Sequence, residues 1–150
     1  MNSVLVAVLA FVAMEPITAA THRFVMHGPG RVLHRSHHRR NSHGWELNDL
    51  FPVAFAALVM MAMAIGFNVQ GFEVLVPVGI GVTLYGAAYA LVHDIYIHQR
   101  LPWFRGRSVP VFERLAAAHR VHHDRNGAPY GMLIPVIARG SRPSQRPSDR

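Results

Sequence analysis

The sequence of 150 residues contains no cysteine and no lysine. Without cysteine the chain has no disulfide, no thiolate-bound zinc, no iron–sulfur cluster and no thiolate-ligated haem. Charged residues are also scarce, at 15%, whereas 51% of the residues are hydrophobic. This composition argues against a disordered chain and against a simple soluble basic protein. At this length one domain is expected.

All positive charge comes from 15 arginines, which outnumber the 8 acidic residues and give a net charge of +7. Such an excess is compatible with a nucleic-acid-binding protein or with a membrane protein. Five arginines lie in residues 22–50 and ten in residues 98–150, so the rest of the chain has none. A nucleic-acid-binding protein has no reason to divide its arginines in this way. We therefore predict a membrane protein with no nucleic-acid partner.

Three apolar stretches occupy the arginine-free parts of the chain, at Val4–Thr21, Leu50–Phe67 and Phe72–Val92. As helices they are roughly 27–32 Å long at about 1.5 Å per residue, close to the hydrocarbon thickness of a bilayer. The alternative is a soluble bundle, but little amphipathic sequence remains to enclose three such helices. The N-terminus lacks the basic residues of a cleaved signal peptide. The predicted fold class is an all-α integral membrane protein with about three transmembrane helices and a histidine-rich di-metal cap.

The positive-inside rule places both arginine-rich segments on the cytoplasmic side, with the N-terminus and the 68–73 turn outside. We expect a multi-pass protein of the cell (inner) membrane, in contact with membrane lipid. Gly131–Ala138 is apolar but too short to span, so we expect it to lie at the interface, as a possible fourth helix, or to cover a site. Residues 1–138 are predicted to form one domain, and residues 139–150, rich in Arg, Pro and Ser, a disordered basic tail.

Ten of the eleven histidines fall into four groups with repeated spacing. Two groups have the pattern H-x4-H and two have H-x2-H-H, and pair precedes triplet both times. The ten are His22, His27, His34, His37, His38, His93, His98, His119, His122 and His123. The eleventh, His43, stands apart beside Gly44 and is predicted to be a surface loop residue.

The spacing carries geometric information. Residues i, i+3 and i+4 share one face of an α-helix, so each triplet is expected to direct three imidazoles to one side. The second triplet continues a stripe through Phe112 and Leu115, in a helix predicted to begin at Pro110. Five residues turn a helix by about 140°, so the two rings of each H-x4-H pair should diverge unless they bind different metals or the helix ends there.

Ten histidines in these spacings predict a centre with two metal ions. Neutral imidazole binds iron, zinc, copper or nickel, and ten rings exceed what one ion can hold. Without metals many buried ring nitrogens would need other partners. A closed zinc site uses four ligands, and a transporter places its ligands near the bilayer midplane, where this chain has no histidine. A di-metal site at the membrane edge suits a reaction on a lipid-soluble substrate.

The four histidine groups resemble those of the membrane fatty acid hydroxylase/sterol desaturase superfamily. The sequence around them is similar to its bacterial β-carotene 3-hydroxylase branch, over about residues 14–125. The matching stretches include Met14–Glu15, His22–Gly28, Leu33–His38, Glu46–Leu50, His93–Asp94 and Arg114–His123. Tyr130–Leu133 departs from the pattern of that branch, which leaves the tolerated ring type open.

The resemblance implies a non-haem di-iron mono-oxygenase in which the ten histidines bind two Fe ions and dioxygen is the co-substrate. It implies hydroxylation at C3 of the β-ionone rings of β-carotene, to cryptoxanthin and then zeaxanthin. Two alternatives stay open: a hydroxylase or desaturase of the same superfamily acting on a fatty acyl chain or a sterol, and a non-enzymatic membrane metal-binding protein. Because the chain has no cysteine and no nucleotide-binding glycine motif, electrons must come from a separate ferredoxin or reductase docking on the arginine-rich face.

Polar residues near the histidines are candidates to orient the imidazoles. They are Glu15, Asn48, Asp49 and Asp94. Each has the alternative role of a helix cap or a solvated interfacial group. Small residues of the third stretch, among them Gly79, Gly81 and Gly86, favour close helix packing over lining a substrate slot.

Overall fold

A computed structural model describes residues 2–38 and 44–135, and this part of the chain is helical without a strand. The predicted tail at 139–150 and His43 lie outside the described residues. The α-helices are α1 (Ser3–Ala20), α2 (Arg31–His34), α3 (Leu50–Asn68), α4 (Leu75–Ala90) and α5 (Pro110–Arg125). The shorter elements are π-helices at Thr21–Met26 and Leu91–Ile97, and 3-10 helices at Leu47–Asp49 and Pro102–Phe104.

Three continuous helical segments are long and apolar enough to cross a membrane. They run over Ser3–Met26, Leu47–Asn68 and Leu75–Ile97, which confirms the three predicted spans and the all-α fold class. The third begins later than predicted, because Gly71 has a left-handed φ of +88° and residues 72–74 complete the turn. The first and third end later than predicted, because each continues into a π-helix.

Helix α4 packs between α1 and α3, and glycine makes the approach to α1 possible. A Cβ atom on Gly81 would lie 2.2 Å from the Ala7 carbonyl oxygen of α1, which no side chain tolerates. A Cβ on Gly79 would overlap the Met63 side chain of α3. The predicted packing role is therefore confirmed for these two glycines. A Cβ on Gly86 would meet no atom within 4 Å, so that glycine serves no such contact.

Among the described residues, most of the buried ones lie outside the long helices α1, α3 and α4, at the end where both π-helices emerge. There α5 packs against the second π-helix, and α2 contacts the first π-helix and the 3-10 helix at Leu47–Asp49. Apolar contacts come from Val92, Ala118 and Val121, each at most 4% exposed. As predicted, α5 begins with Pro110 in its first turn. These elements form a cap whose interior is filled mainly by histidine.

Candidate metal centre

Both H-x4-H pairs lie on π-helices, which bring their two rings together. The backbone N–H of His27 donates to the His22 carbonyl at 3.0 Å, and His98 donates to His93 at 3.0 Å. A π-helix joins residues i and i+5 in this way, so members of each pair share one side. The ring centroids are 5.1 Å apart in the first pair and 4.6 Å in the second. Each π-helix ends just before the second histidine of its pair, so the exception expected for a helix end applies, although the π-helical geometry was not predicted.

The histidines gather into two adjacent clusters. In each cluster the ligand atoms all lie within 4.8 Å of one another. The five-histidine cluster consists of His22, His27, His34, His38 and His122, and the four-histidine cluster of His37, His93, His98 and His119. His123 lies between them, with its ring centroid 4.4 Å from those of both His38 and His119. Its Nε2 atom is buried and has no hydrogen-bond partner among residues 2–38 and 44–135.

Each H-x2-H-H triplet supplies histidines to both of the adjacent clusters. His34 and His38 belong to the five-histidine cluster, whereas His37 belongs to the other. This happens because α2 ends at His34 and the chain continues as a turn. On α5, residues three apart differ in direction by about 60°, which lets His119 and His122 reach neighbouring clusters.

Four histidines have their Nδ1 atom close to an oxygen that can only accept a hydrogen bond. His34 Nδ1 lies 2.7 Å from Asn48 Oδ1, and His93 Nδ1 lies 3.0 Å from Asp94 Oδ1. Backbone carbonyls serve the other two: His122 Nδ1 is 2.6 Å from the Gly127 oxygen, and His22 Nδ1 is 3.2 Å from the Tyr130 oxygen. In a neutral ring this places the proton on Nδ1 and leaves a lone pair on Nε2.

The Nε2 atoms of the same rings point at one another. His22 Nε2 lies 3.1 Å from His34 Nε2, and both atoms carry lone pairs, so no hydrogen bond joins them. The distance from His93 Nε2 to His37 Nε2 is 3.0 Å, and other facing pairs lie at 3.1–3.3 Å. A metal ion with bonds of about 2.1 Å to nitrogen separates adjacent ligand nitrogens by about 3.0–3.4 Å. The donor set therefore fits a metal ion in each cluster.

Burial keeps the imidazoles uncharged, as metal ligands must be. Burial, together with repulsion from neighbouring imidazoles, lowers the pKa of His38 to about 4 and the pKa values of His98 and His122 to about 3. The same two causes hold the pKa values of His37 and His119 far below the usual range. These rings are neutral at pH 7, so their lone pairs are free to bind a cation.

An arginine and three carboxylates lie beside the four-histidine cluster, and two of the carboxylates contact its histidines. Arg100 lies 2.8 Å from Asp49 Oδ1, 3.3 Å from Glu46 Oε1 and 3.7 Å from Asp94 Oδ1. Glu46 Oε2 lies 3.4 Å from His37 Nδ1. Arg100 thus holds the two carboxylates that contact His37 and His93. Asp94 lies within hydrogen-bond distance of His93 and can fix the orientation of that imidazole, whereas Glu46 Oε2 and His37 Nδ1 are not joined by a hydrogen bond.

The four predicted orienting residues have different contacts. Asn48 and Asp94 each contact an imidazole, as described above. Asp49 has no hydrogen bond to a histidine in the described part of the chain, but accepts from Arg100 at 2.8 Å and from the backbone N–H of Glu46 at 2.9 Å. Glu15 contacts the Tyr85 hydroxyl and the backbone after α5.

Sequence reasoning missed Glu46, Arg100 and the carbonyl groups of Gly127 and Tyr130. Glu46 had a usable signal, since it is an acid two residues before Asn48 at the start of a span. The carbonyls had none, because any residue supplies one.

Comparison with known proteins covers most of the chain. The profile of the family described as Fatty acid hydroxylase matches residues 7–139. The chain is 44% identical over 125 residues to a protein named Beta-carotene hydroxylase from Pseudescherichia vulneris, covering 82% of this chain and 69% of that protein. A protein also named Beta-carotene hydroxylase, from Paracoccus sp. (strain PC1), is 38% identical over 131 residues, which cover 85% of this chain and 78% of that protein.

Similarity extends to plants. Beta-carotene hydroxylase 1, chloroplastic, from Capsicum annuum is 37% identical over 132 residues, which are 83% of this chain and 41% of the plant protein. The chain thus spans less than half the length of this plant relative. No solved structure matches the chain.

Proposed function

Since this chain belongs to the fatty acid hydroxylase family, we propose that it is a carotenoid mono-oxygenase that hydroxylates C3 of the β-ionone rings of β-carotene. Its relatives in bacteria and plants carry the name β-carotene hydroxylase, and together with the family they indicate a hydroxylating oxygenase. The observation that carries the proposal is the convergence of lone-pair nitrogens into two clusters at one end of three apolar helices. The products are cryptoxanthin and then zeaxanthin.

The ten histidines are proposed to bind two iron ions. One ion belongs to the five-histidine cluster and the other to the four-histidine cluster, where the unpartnered Nε2 of His123 is the candidate fifth nitrogen. Iron bound there supplies activation of dioxygen. Each turnover consumes one dioxygen, two electrons and two protons, converts one C–H bond to C–OH and releases one water.

The chain itself orients the imidazoles and provides an apolar groove for the substrate. A groove of about 400 Å³ runs along α1 from Leu5 to Ile17, beside Val78 and Val82 of α4, and is lined by apolar side chains. We propose that the polyene lies along such helix surfaces with one ring toward the clusters, since the groove ends shortly before His22. Oxygen atoms that accept from Nδ1 orient four of the imidazoles, and burial in the cap keeps water from the rings.

The clusters are proposed to lie on the cytoplasmic side of the inner membrane, because the arginines flank them. A separate ferredoxin or reductase is proposed to deliver electrons there. Exposed arginines on the cap, Arg105, Arg107 and Arg114, offer a positive surface for an acidic donor protein.

The proposal is tested by expressing the chain in a bacterium that accumulates β-carotene and separating the pigments by chromatography. A monohydroxylated and then a dihydroxylated carotenoid are expected. His37→Ala should abolish both products, because it removes a nitrogen of the four-histidine cluster. His43→Ala is the control: it removes a histidine outside the four groups and should leave both products. Absence of polar pigment from a folded, iron-replete protein would contradict the proposal. Hydroxylated acyl chains or sterols in the same extracts would instead support the alternative substrates.

A further inference from the structure

Glu15 lies within the first span, and its carboxylate binds the segment that follows α5. The Tyr85 hydroxyl donates to Oε2 at 2.7 Å. The backbone N–H of Leu133 lies 3.1 Å from both carboxylate oxygens, and that of Ile134 donates to Oε1 at 2.9 Å. Glu15 therefore joins three parts of the chain: α1, α4 and the residues after α5.

The segment bound by Glu15 covers the five-histidine cluster, and we call Gly127–Ile134 the cover segment. Its carbonyls at Gly127 and Tyr130 are the Nδ1 partners of His122 and His22. The Tyr130 ring packs with its centroid 5.4–5.6 Å from those of His22, His27 and His122. The cover segment thus sets the ring orientation of two histidines in this cluster.

Apolar packing alone does not hold the end of the cover segment. Met132 is buried, but the Ile134 side chain is 69% exposed. The two N–H groups at Leu133 and Ile134 are bound by an acid two helical turns before His22, within a span. In apolar surroundings such groups need a protein acceptor, because water is scarce. A Cβ on Gly131 would lie 2.7 Å from Glu15 Oε1, so the backbone also passes close to the carboxylate.

We propose that Glu15 is a positioning residue for the five-histidine metal site and acts through the cover segment. It fixes Leu133 and Ile134, which keeps the Tyr130 carbonyl on His22 Nδ1 and leaves His22 Nε2 free for the metal. The four-histidine cluster does not depend on this contact, because Glu46, Asp94 and Arg100 support it. The inference rests on the proposed metal centre and adds to it a residue that is not one of the ten metal-binding histidines.

The test is a titration of the purified full-length protein in detergent with Co²⁺, followed by the visible absorption bands of the bound ion. Wild type is compared with Glu15→Gln, which keeps an oxygen for the two N–H groups and an amide for the Tyr85 hydroxyl, and with Glu15→Leu, which has no acceptor. We expect wild type and Glu15→Gln to bind two ions alike. In Glu15→Leu one site should weaken about 10- to 100-fold, the range seen when outer partners of metal ligands are lost.

Gly131→Val provides a second route to the same result, because it displaces the cover segment while Glu15 is intact. It should also weaken one site selectively. The inference is overturned if Glu15→Leu binds both ions as wild type does, if Glu15→Gln is as weak as Glu15→Leu, or if both sites weaken equally. A folded wild type that binds no Co²⁺ would overturn the proposed metal centre and the inference with it.

Discussion

At the scale of single residues, the two ring nitrogens of the histidines have separate tasks. Nδ1 of four rings faces an oxygen, and Nε2 faces other Nε2 atoms. The sequence reveals the number and spacing of the histidines but not this division, because it depends on residues distant in the chain. Asn48 and Asp94 could be found because they lie next to a span end or to a histidine. Tyr130 contacts His22 from 108 positions away, and no local pattern indicates that contact.

Asn48 provides the sharpest test of Nδ1 orientation. Asn48→Ala removes the acceptor 2.7 Å from His34 Nδ1, so iron content and hydroxylation rate should fall, by about 10- to 100-fold in affinity or activity. Asn48→Asp keeps an acceptor oxygen at nearly the same place and should retain most of both. The measurement is iron per protein together with product formed from β-carotene. Equal behaviour of the Ala and Asp variants would show that the contact with His34 has no such role.

At the scale of helices, the spans followed from hydropathy, whereas the π-helices did not. Both H-x4-H pairs indicated something other than a regular α-helix, since the spacing does not suit one face. Convergence of the rings is expected only if they bind different metals or if the helix ends there. Both pairs do lie at helix ends, and i→i+5 hydrogen bonds at His22–His27 and His93–His98 bring the rings together. The first π-helix contacts α2 and the second contacts α5, and the hydrophobic periodicity of a single span does not reveal such contacts.

The approach of α1 to α4 depends on Gly81. Gly81→Ala places a methyl group against the Ala7 carbonyl oxygen and Ala10, so the helices must move apart. We expect a loss of about 1–3 kcal/mol in the free energy of unfolding, as for other overpacked contacts. Gly86→Ala is the matched control: it meets open space and gains helix propensity, so its stability should be unchanged or higher. Reversible unfolding in mixed detergent measures both, and similar losses in the two variants would contradict this packing.

At the scale of the whole molecule, arginine placement and the length of the apolar stretches are enough to predict the three-span architecture. What they could not predict is that the histidines of one triplet serve two clusters. That outcome requires the cap elements to fold over one another, which brings His37 next to His93, 56 positions away.

The absence of cysteine makes the membrane orientation simple to measure. Single cysteines replace the exposed residues Ser3, Gln70 and Ser108. In intact cells a membrane-impermeant maleimide should label the variants at Ser3 and Gln70, because these positions are predicted to lie outside. Ser108→Cys should react with the maleimide only after the membrane has been permeabilised. Labelling of Ser108→Cys in intact cells would place the histidine clusters on the opposite side.

Docking of an electron donor is tested by charge. Replacing Arg105, Arg107 and Arg114 with glutamine should raise KM for an acidic ferredoxin several-fold at low salt, with little change in kcat at saturating donor, since surface charges mainly affect encounter. Glutamine at Arg142, Arg146 and Arg150, outside the described residues, removes the same charge and should leave KM nearly unchanged. An unchanged KM in the first variant would argue against this docking surface.

The π-helices also change how substitutions along the first and third spans must be compared. Each π-helix ends its span, and because a π-helical turn takes more residues than an α-helical turn, the helical phase at its end has shifted by about 100° from that of the preceding α-helix. Along Ser3–Met26, the positions that tolerate a polar residue should recur with a period of 3.6 residues up to Ala20 and should depart from that phase beyond it. A single helical wheel over the whole segment would therefore assign the wrong lipid-facing side to part of it.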